Sequence, residues 1–575
     1  MSLTSSINIA SSALTASQLG LQVTSMNMAN AANPSYTRQI AMLQAIRGRV
    51  SDPYQIGQGV AVTEVRRQID EALQSRLWAG TAAENSSAQQ YGVLAQLETI
   101  LNEGTEFDMS PQLSSFFNSW TEATTLLDSA ATIQNQGEAV ASFIRNMRSD
   151  LTTQRQQIED QIDAQVLRAN GILDEIATIN QTITESEIGD AEASGLRDQR
   201  DALVTELSQL MDVSVHENNA GAYDIYSGST PIVQGGRNRG VEISRVTDDN
   251  GQLSVRVEII ADSTPLPVSG GSIGGLLASR DGAIDETLEK LDTLAAQLIF
   301  EVNKLHSTGI NEDWLTSSAA TLAIPSADRA LALNDPNNST LSGLPFEAVN
   351  GGFTINVRND DGSSSTRRIE IDLDGIDSTG QPGFGDDTSA DDILAAINAT
   401  PSIGITASFD SSGRLQIEAD PGYSFSFSED TSGALAVLGV NSFFTGDGAA
   451  DIGVREDLEV MLGRLDDTGQ FIANGTAKLI GDLGNEAVSG LGELSIQKFW
   501  SQQATDIASK TASARNKANA DAIIRESLDA QRASVSGVSI DEESINLMSY
   551  QRQYQGAAQV ITTAQEMFDT LLALV

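Results

Sequence analysis

Apolar residues recur every seven positions at both ends of the chain. Ile7, Leu14, Leu21 and Met28 mark the first repeat, with Leu3 and Ala10 on the same side. That period is the narrow stripe of a helix packing along a coiled-coil seam. Asn33-Pro34 ends it, because proline disfavours the helical conformation in its predecessor. At the other end Ile540, Leu547, Tyr554, Ile561, Phe568 and Val575 sit seven apart without exception, and Tyr550, Ala557, Ala564 and Leu571 form a companion row. Ser539 and Glu542 have the S-x-x-E spacing of a capping box, so a helix starts there. One such seam buries too little apolar surface to offset the ordering of so long a helix. It predicts packing on several faces, by the other terminus or by neighbouring subunits.

The middle of the chain reads differently. Residues 35–68 are irregular or extended, with Gly57 and Gly59 as breakers. Helical spacing runs from about Ile69 past Leu101 and is followed by an aromatic cluster of Phe107, Phe116, Phe117 and Trp120. The longest helix is predicted where Ile144, Leu151, Ile158, Ile172 and Ile179 share one grid and Ile162, Ala169, Ile176 and Ile183 the next. A second, over about 192–211, carries Leu196, Leu203, Leu207 and Leu210. Strict alternation over Leu253–Ile259 marks a strand, so residues 213–268 are read as a β-rich insert. A helix from about Ile273 to His306 follows. Alternation returns over 353–357, 369–373, 415–417 and 423–427, around a short helix at Asp391–Ala399. Ala-rich helical spacing then covers about 495–533 up to Gly537.

Charge sharpens this division. The 575 residues hold 78 acidic and 34 basic side chains, a net charge of −44, yet residues 1–37 contain none of either kind. A polyanion of this size is repelled by phosphate backbones, which argues against nucleic-acid binding. The uncharged N-terminus lacks the basic start and solid apolar block of a secretory signal, so it is expected to be a retained structural segment. No run of 18 apolar residues occurs, so no membrane-spanning helix is expected. Cysteine is absent and only His216 and His306 are present, which removes disulfides, thiolate sites and His-rich metal centres.

The remaining candidates for chemistry are weak. Gly270-Gly-Ser-Ile-Gly-Gly275 lacks both G-x-G-x-x-G spacing and a following Lys-Ser/Thr, and reads as a turn before a helix. Asp372-Leu-Asp-Gly-Ile-Asp377 has glycine at the fourth position, where a calcium loop needs it at the sixth, and reads as a solvated turn. His306 lies at a helix end, a place for a cap or a packed residue. No nucleophile–base pair can be named, so neither catalytic residues nor a cofactor or metal is expected.

Asn27-Met-Ala-Asn30-Ala-Ala-Asn33-Pro34-Ser-Tyr36-Thr37-Arg38 resembles the N-terminal motif of the flagellar axial proteins of rod, hook and junction, which usually have glycine where this chain has Ser35. Asp541-Glu-Glu-Ser-Ile-Asn-Leu-Met-Ser-Tyr-Gln-Arg-Gln-Tyr554 resembles their C-terminal motif, and Gln559–Met567 its continuation. Within the family, the junction members are the ones resembled by Leu196-Arg-Asp-Gln-Arg-Asp201, Pro231–Gly235, Gly270–Asp281 with Asn303, His306 and Gly309, and Leu438–Gly446. The resemblance implies a non-enzymatic structural subunit of the bacterial flagellum. It would be secreted through the flagellar type III export channel and self-assemble as a ring on the hook tip, adapting hook to filament. The implied partners are the subunit itself, the hook protein, the next junction protein and a cytoplasmic export chaperone at the C-terminal region. The implied place is the extracellular flagellum.

The reading is thus an elongated α+β multi-domain protein. A long helical bundle or coiled coil is built from both termini and carries two β-rich inserts. Residues 1–60 and 538–575 are assigned to a terminal assembly domain whose seam is Ile7, Leu14, Leu21, Met28, Ile540, Leu547, Tyr554, Ile561, Phe568 and Val575, with Asn27, Asn30, Asn33, Tyr36, Thr37 and Arg38 as the family motif. Residues 61–212, 269–310 and 490–537 are assigned to a helical rod domain, 213–268 to a small β insert, and 311–489 to an outer β-rich insert with a module at 350–446. Another axial protein, hook or rod, is the alternative within the family; a calcium-dependent acidic surface adhesin is the alternative outside it.

Overall fold

A computed structural model of the chain describes residues 3–47, 57–101, 108–126, 129–187, 192–247, 253–466 and 468–573. Phe107 of the aromatic cluster and Val575 of the C-terminal row lie outside the described residues. The α-helices are α1 (Leu3–Ala29), α2 (Glu71–Leu101), α3 (Met109–Ala123), α4 (Ala130–Ser186), α5 (Ser194–Leu210) and α6 (Gly271–Ser279). They continue with α7 (Asp285–His306), α8 (Ala390–Ile397), α9 (Ala434–Leu438), α10 (Gly475–Leu483), α11 (Ile496–Ser536) and α12 (Ile540–Ala573). Two compact units divide the chain: residues 1–93, 157–280 and 512–575 form the first, residues 94–156 and 281–511 the second.

In the first unit the chain leaves α1 through the Asn33–Tyr36 turn into an antiparallel hairpin of β1 (Gln39–Ala45) and β2 (Val60–Arg67), bulged between Met42 and Leu43. α4 and α5 support the small β-rich region. Its strands β3 (Ser214–Glu217), β4 (Tyr223–Ser227), β5 (Thr230–Gln234) and β6 (Arg237–Asn238) make one antiparallel sheet, and β7 (Val241–Thr247) pairs with β8 (Leu253–Ile259). One amide anchors it: Asn180 of α4 donates to the carbonyls of Tyr223 and Gly235 and accepts from the Tyr223 N–H. The Arg200 guanidinium of α5 lies 3.3 Å over the Tyr223 ring. Towards the C-terminus, Leu528 of α11 packs on Leu73 and Leu77 of α2.

The glycine run at 270–275 departs from expectation. Only Gly270 precedes the helix, and the rest lies inside α6. The glycines serve close packing. A Cβ on Gly271, at φ +67°, would fall 2.3 Å from the Met211 nitrogen, and one on Gly275 would fall 2.5 Å from the Ser86 carbonyl oxygen. The helix expected to run unbroken to His306 is also interrupted, by a π-helical turn over Arg280–Ile284. Its first residue, Arg280, is buried and pairs through Nε with the buried Glu159 carboxylate at 2.9 Å.

In the second unit β9 (Ser317–Ala323), β10 (Gly351–Asn359), β11 (Ser364–Ile371), β12 (Ile405–Phe409), β13 (Arg414–Ala419) and β14 (Tyr423–Ser428) form two three-stranded antiparallel sheets, ordered β11-β10-β14 and β12-β13-β9. β9 lies well before residue 350, so the β structure reaches further back than the alternating segments indicate; its sequence, Ser-Ser-Ala-Ala-Thr-Leu-Ala, has little contrast between its faces. A capping box of Ser389 and Asp392 starts α8. The core of this unit gathers Phe116 and Trp120 of α3 around Phe443, Phe444 and His306, all within 1% of full burial.

Candidate assembly interface

α1 and α12 pair along their lengths, and small residues make the closest line between them. On α1 the buried positions are Ala10, Ala16, Ser17, Gly20, Val23, Thr24 and Asn27; on α12 they are Glu543, Ala557 and Ala564. The Tyr550 ring lies over Gly20, where a Cβ would come within 2.5 Å of it. The larger seam residues take the shoulders of this line. Ile7, Leu14, Leu21, Met28, Leu547, Tyr554 and Ile561 are half-buried, while Ile540 and Phe568 are exposed. It is therefore the companion row of Tyr550, Ala557 and Ala564 that faces α1. Aliphatic size draws the eye in a sequence, whereas helices approach closest through small side chains.

The rest of α12 is apolar and open. Ile540, Ile545, Met548, Val560, Met567, Phe568, Leu571 and Leu572 are each 49–63% exposed. These residues point to several sides of the helix, so apolar surface stays open round much of α12.

The family-motif residues converge where the pair meets the hairpin. Asn27 spends its whole amide. Its Nδ2 donates to the Gln39 carbonyl (2.9 Å) and Glu543 Oε2 (3.0 Å), and its Oδ1 accepts from Gln39 N–H (3.0 Å) and Tyr36 O–H (2.8 Å). Arg38 grips Glu543 through Nε (2.9 Å) and Nη2 (2.8 Å), and Glu542 through Nη1 (3.0 Å). Its own N–H donates to the Ser536 carbonyl at the α11–α12 turn. Asn30 donates to the Met26 carbonyl and stands apart from this cluster. Asn33 Oδ1 accepts from the Ser35 N–H, a local turn. Ser35 is not among the residues with positive φ, so the turn does not require the family's usual glycine.

Thr37 extends the cluster to α5: its N–H donates to Asp198 Oδ2 at 3.2 Å. Asp198 shares the buried Arg67 guanidinium of β2 with Asp201 (2.6 Å) and Glu192 (3.1 Å). Burial alone would lower the Arg67 pKa, but Asp201 and Asp198 hold it above its ordinary value, so it stays charged. Burial pushes the Asp198 carboxyl up against the pull of Arg67, and pushes the Tyr36 hydroxyl up to about 12, helped by Asp198 and Glu543. Arg67 and Tyr36 are therefore fixed hydrogen-bonding groups with no proton to exchange near neutrality. Glu543, Arg67 and Asp198 escape a search for apolar rows. The signal for Glu543 is its position seven residues before Tyr550, a lone charge on the companion row.

Elsewhere both histidines are structural. Buried His306 accepts from the Met461 N–H at Nε2 (3.1 Å) and faces the Asn441 carbonyl with Nδ1 (2.8 Å), which fixes the neutral tautomer; burial drives its pKa down to about 4. His216 lies on β3, edge-on to Tyr226. Carboxylate oxygens of Asp372, Asp374 and Asp387 lie within 4.8 Å of one another, with Asp372 and Asp374 exposed. Among the described residues no helix is long and apolar enough to cross a membrane.

Residues 94–315 match the family described as flagellar hook-associated protein FlgK helical domain, and residues 530–574 the flagellar basal body rod FlgEFG protein C-terminal. Flagellar hook-associated protein 1 of Salmonella typhimurium is 27% identical over 99% of this chain and 100% of its own length. The chain is thus similar along its whole length to the flagellar hook-associated protein 1 proteins. Those from Escherichia coli (25% identical, 99% of this chain, 100% of theirs) and Bacillus subtilis (26%, 97% and 96%) align just as fully. The solved flagellar hook junction protein FlgK from Burkholderia pseudomallei is 15% identical, with a TM-score of 0.49 over 80% of this chain and 100% of that one, a likeness that adds nothing to the sequence matches.

Proposed function

We propose that the chain is a structural subunit of the flagellar hook–filament junction, and that the α1–α12 pair is the part that packs against other subunits. The observation that carries this reading is the exposed apolar surface round α12, on a chain that aligns end to end with hook-associated protein 1. A rod or hook subunit fits less well, because the rod-family match is confined to the C-terminus whereas the hook-associated helical domain spans 94–315. The function needs no catalysis and no cofactor. The partners would be further copies of the chain in a ring, the hook protein below and the next junction protein above. The chain would leave the cell by the flagellar export channel with a chaperone on its C-terminal region, and reside in the extracellular flagellum. Residues 1–60 and 538–575 would be the assembly domain, with the β-rich regions as inserts outside it.

The test replaces Val560, which is 49% exposed, with aspartate. A carboxylate on a surface that assembly dries costs several kcal/mol per subunit unless it is paired. In cells lacking their own copy, Val560→Asp should be secreted yet leave hooks without filaments. Gln551→Asp, at an exposed position on the opposite side of the same helix, should restore filaments. Normal filaments on Val560→Asp would refute the assigned surface, and a variant retained in the cytoplasm would be replaced by Met567→Asp.

A further inference from the structure

We propose that the buried cluster of Asn27, Arg38 and Glu543 sets the register of the terminal helix pair, selecting one antiparallel alignment among several that the small-residue seam accepts. This inference does not depend on where in the flagellum the chain acts. Two contacts define the observed alignment. Asn27 meets Glu543, and seven residues earlier on α1 and seven later on α12, Gly20 meets Tyr550. The same alignment sets Ala13 opposite Ala557. The rows themselves specify little. Ala10, Ser17 and Thr24 on α1 and Ala557 and Ala564 on α12 repeat every seven residues with near-equal size. A slip of one heptad, about 10 Å along the axis, would again bring small residues against small residues except at Tyr550, whose ring would leave Gly20 for Asn27 or Ala13.

The cluster cannot follow such a slip. Glu543 is 2% exposed and takes its short hydrogen bonds from Asn27 and Arg38, with Asn546 of its own helix farther off at 3.4 Å. Asn27 is bound to both backbone groups of Gln39, and Arg38 to the Ser536 carbonyl, so neither can travel with α12. A slipped pair would therefore strip a buried carboxylate of its cation and of its short hydrogen bonds, leaving only the long contact from Asn546. A single polar group at a seam position plays this part in coiled coils, fixing register at some expense of stability.

The chain has no cysteine, so an introduced pair reports without background. In the full-length protein, Ala13→Cys is combined either with Ala557→Cys, the observed alignment, or with Ala564→Cys, one heptad displaced. Each pair is treated with a short bis-maleimide at low protein concentration, and intramolecular links are read by peptide mapping. In the otherwise unchanged chain only the 13–557 pair should link. Glu543→Gln keeps the shape and an acceptor for Asn27, and should behave the same. Glu543→Leu removes the polar demand while adding apolar surface, so linking of the 13–564 pair should rise at least tenfold. Exclusive 13–557 linking in Glu543→Leu would overturn the proposal. So would loss of both links in that variant, which would make the cluster a clamp and not a register device, or a 13–564 link in the unchanged chain.

Discussion

The aromatic core of the second unit and the terminal helix pair of the first bury opposite kinds of residue. In the core Phe116, Trp120, Phe443, Phe444 and His306 lie ring against ring, with centroids 4.8–6.3 Å apart. Its large side chains are inside and its one titratable group is pinned neutral. The pair buries alanine, glycine and serine and leaves isoleucine, methionine and phenylalanine outside. A protein interior is completed by its largest side chains, since these gain most from leaving water. By that measure the core is complete within one chain and the pair is not. Charge follows the same division. Residues 281–511 hold 37 acidic and 12 basic side chains; α1 has neither kind, and α12 has Asp541, Glu542 and Glu543 at its start and Glu566 and Asp569 towards its end, with Arg552 the single charge between them. The charge-poor stretches of the pair are therefore α1 and the middle of α12.

The contrast is broken most forcefully from the core side. Trp120→Ala should cost about 3–5 kcal/mol, the ordinary range for deleting a buried aromatic ring. Denaturant unfolding followed by tryptophan fluorescence and circular dichroism should show an early transition for the second unit, with the α1–α12 pair unaltered by hydrogen exchange. If the loss were below about 1 kcal/mol, the core would not be the closed interior described here.

His306 provides the next largest effect, through pH. Its folded pKa of about 4 lies below the 6.5 of an unperturbed histidine. Below pH 6.5 the unfolded chain takes up a proton that the folded core refuses. Stability should therefore fall as the pH drops from 6.5 to 4, by at most roughly 1.4 kcal/mol per pH unit. His306→Gln should lower stability at pH 7.5 yet flatten this slope, measured as denaturation midpoints between pH 7.5 and 4.5. An unchanged slope would mean that carboxylates alone set it.

On the terminal side the smaller effects are local. Gly20→Val places a branched side chain where a Cβ alone comes within 2.5 Å of the Tyr550 ring. Overpacking of this kind costs about 1–3 kcal/mol. It should appear as faster amide exchange over α1 and α12, with the main unfolding midpoint unmoved, and Tyr550→Ala should restore much of the protection.

How much of this was legible depends on what each element uses to hold itself. Helices with large apolar repeats could be read directly: α4 buries Ile144, Leu151, Ile158 and Ile172 of its grid and half-buries Ile179, and α12 begins just after Ser539, as its capping spacing indicates. The line of contact between α1 and α12 could not, because Ala557 and Gly20 do not stand out against an Ala- and Ser-rich background. β9 was hidden for a similar reason, since Ala and Ser give a strand no contrast between its faces. The polar cluster lies at the other extreme. Asn27, Tyr36, Thr37 and Arg38 were visible as a motif, but Glu543, which binds Asn27 and Arg38, and Asp198, which binds Thr37 and Arg67, are distant in sequence, and only the fold brings them together.

Met567→Ser should have the smallest effect on the free chain. Met567 is 54% exposed on the apolar surface of α12, and none of the polar contacts described above involves it. A substitution at such a position normally changes stability by no more than about 0.5 kcal/mol in either direction. The purified chain should therefore keep its denaturation midpoint and its α1–α12 exchange pattern. The same change removes apolar surface that assembly would bury, so filaments in complemented cells should become fewer without any loss of secreted subunit. A drop in the stability of the free chain comparable to that of Trp120→Ala would show that Met567 is already covered within one molecule. The terminal pair would then be as complete as the aromatic core, and the comparison between them would fail.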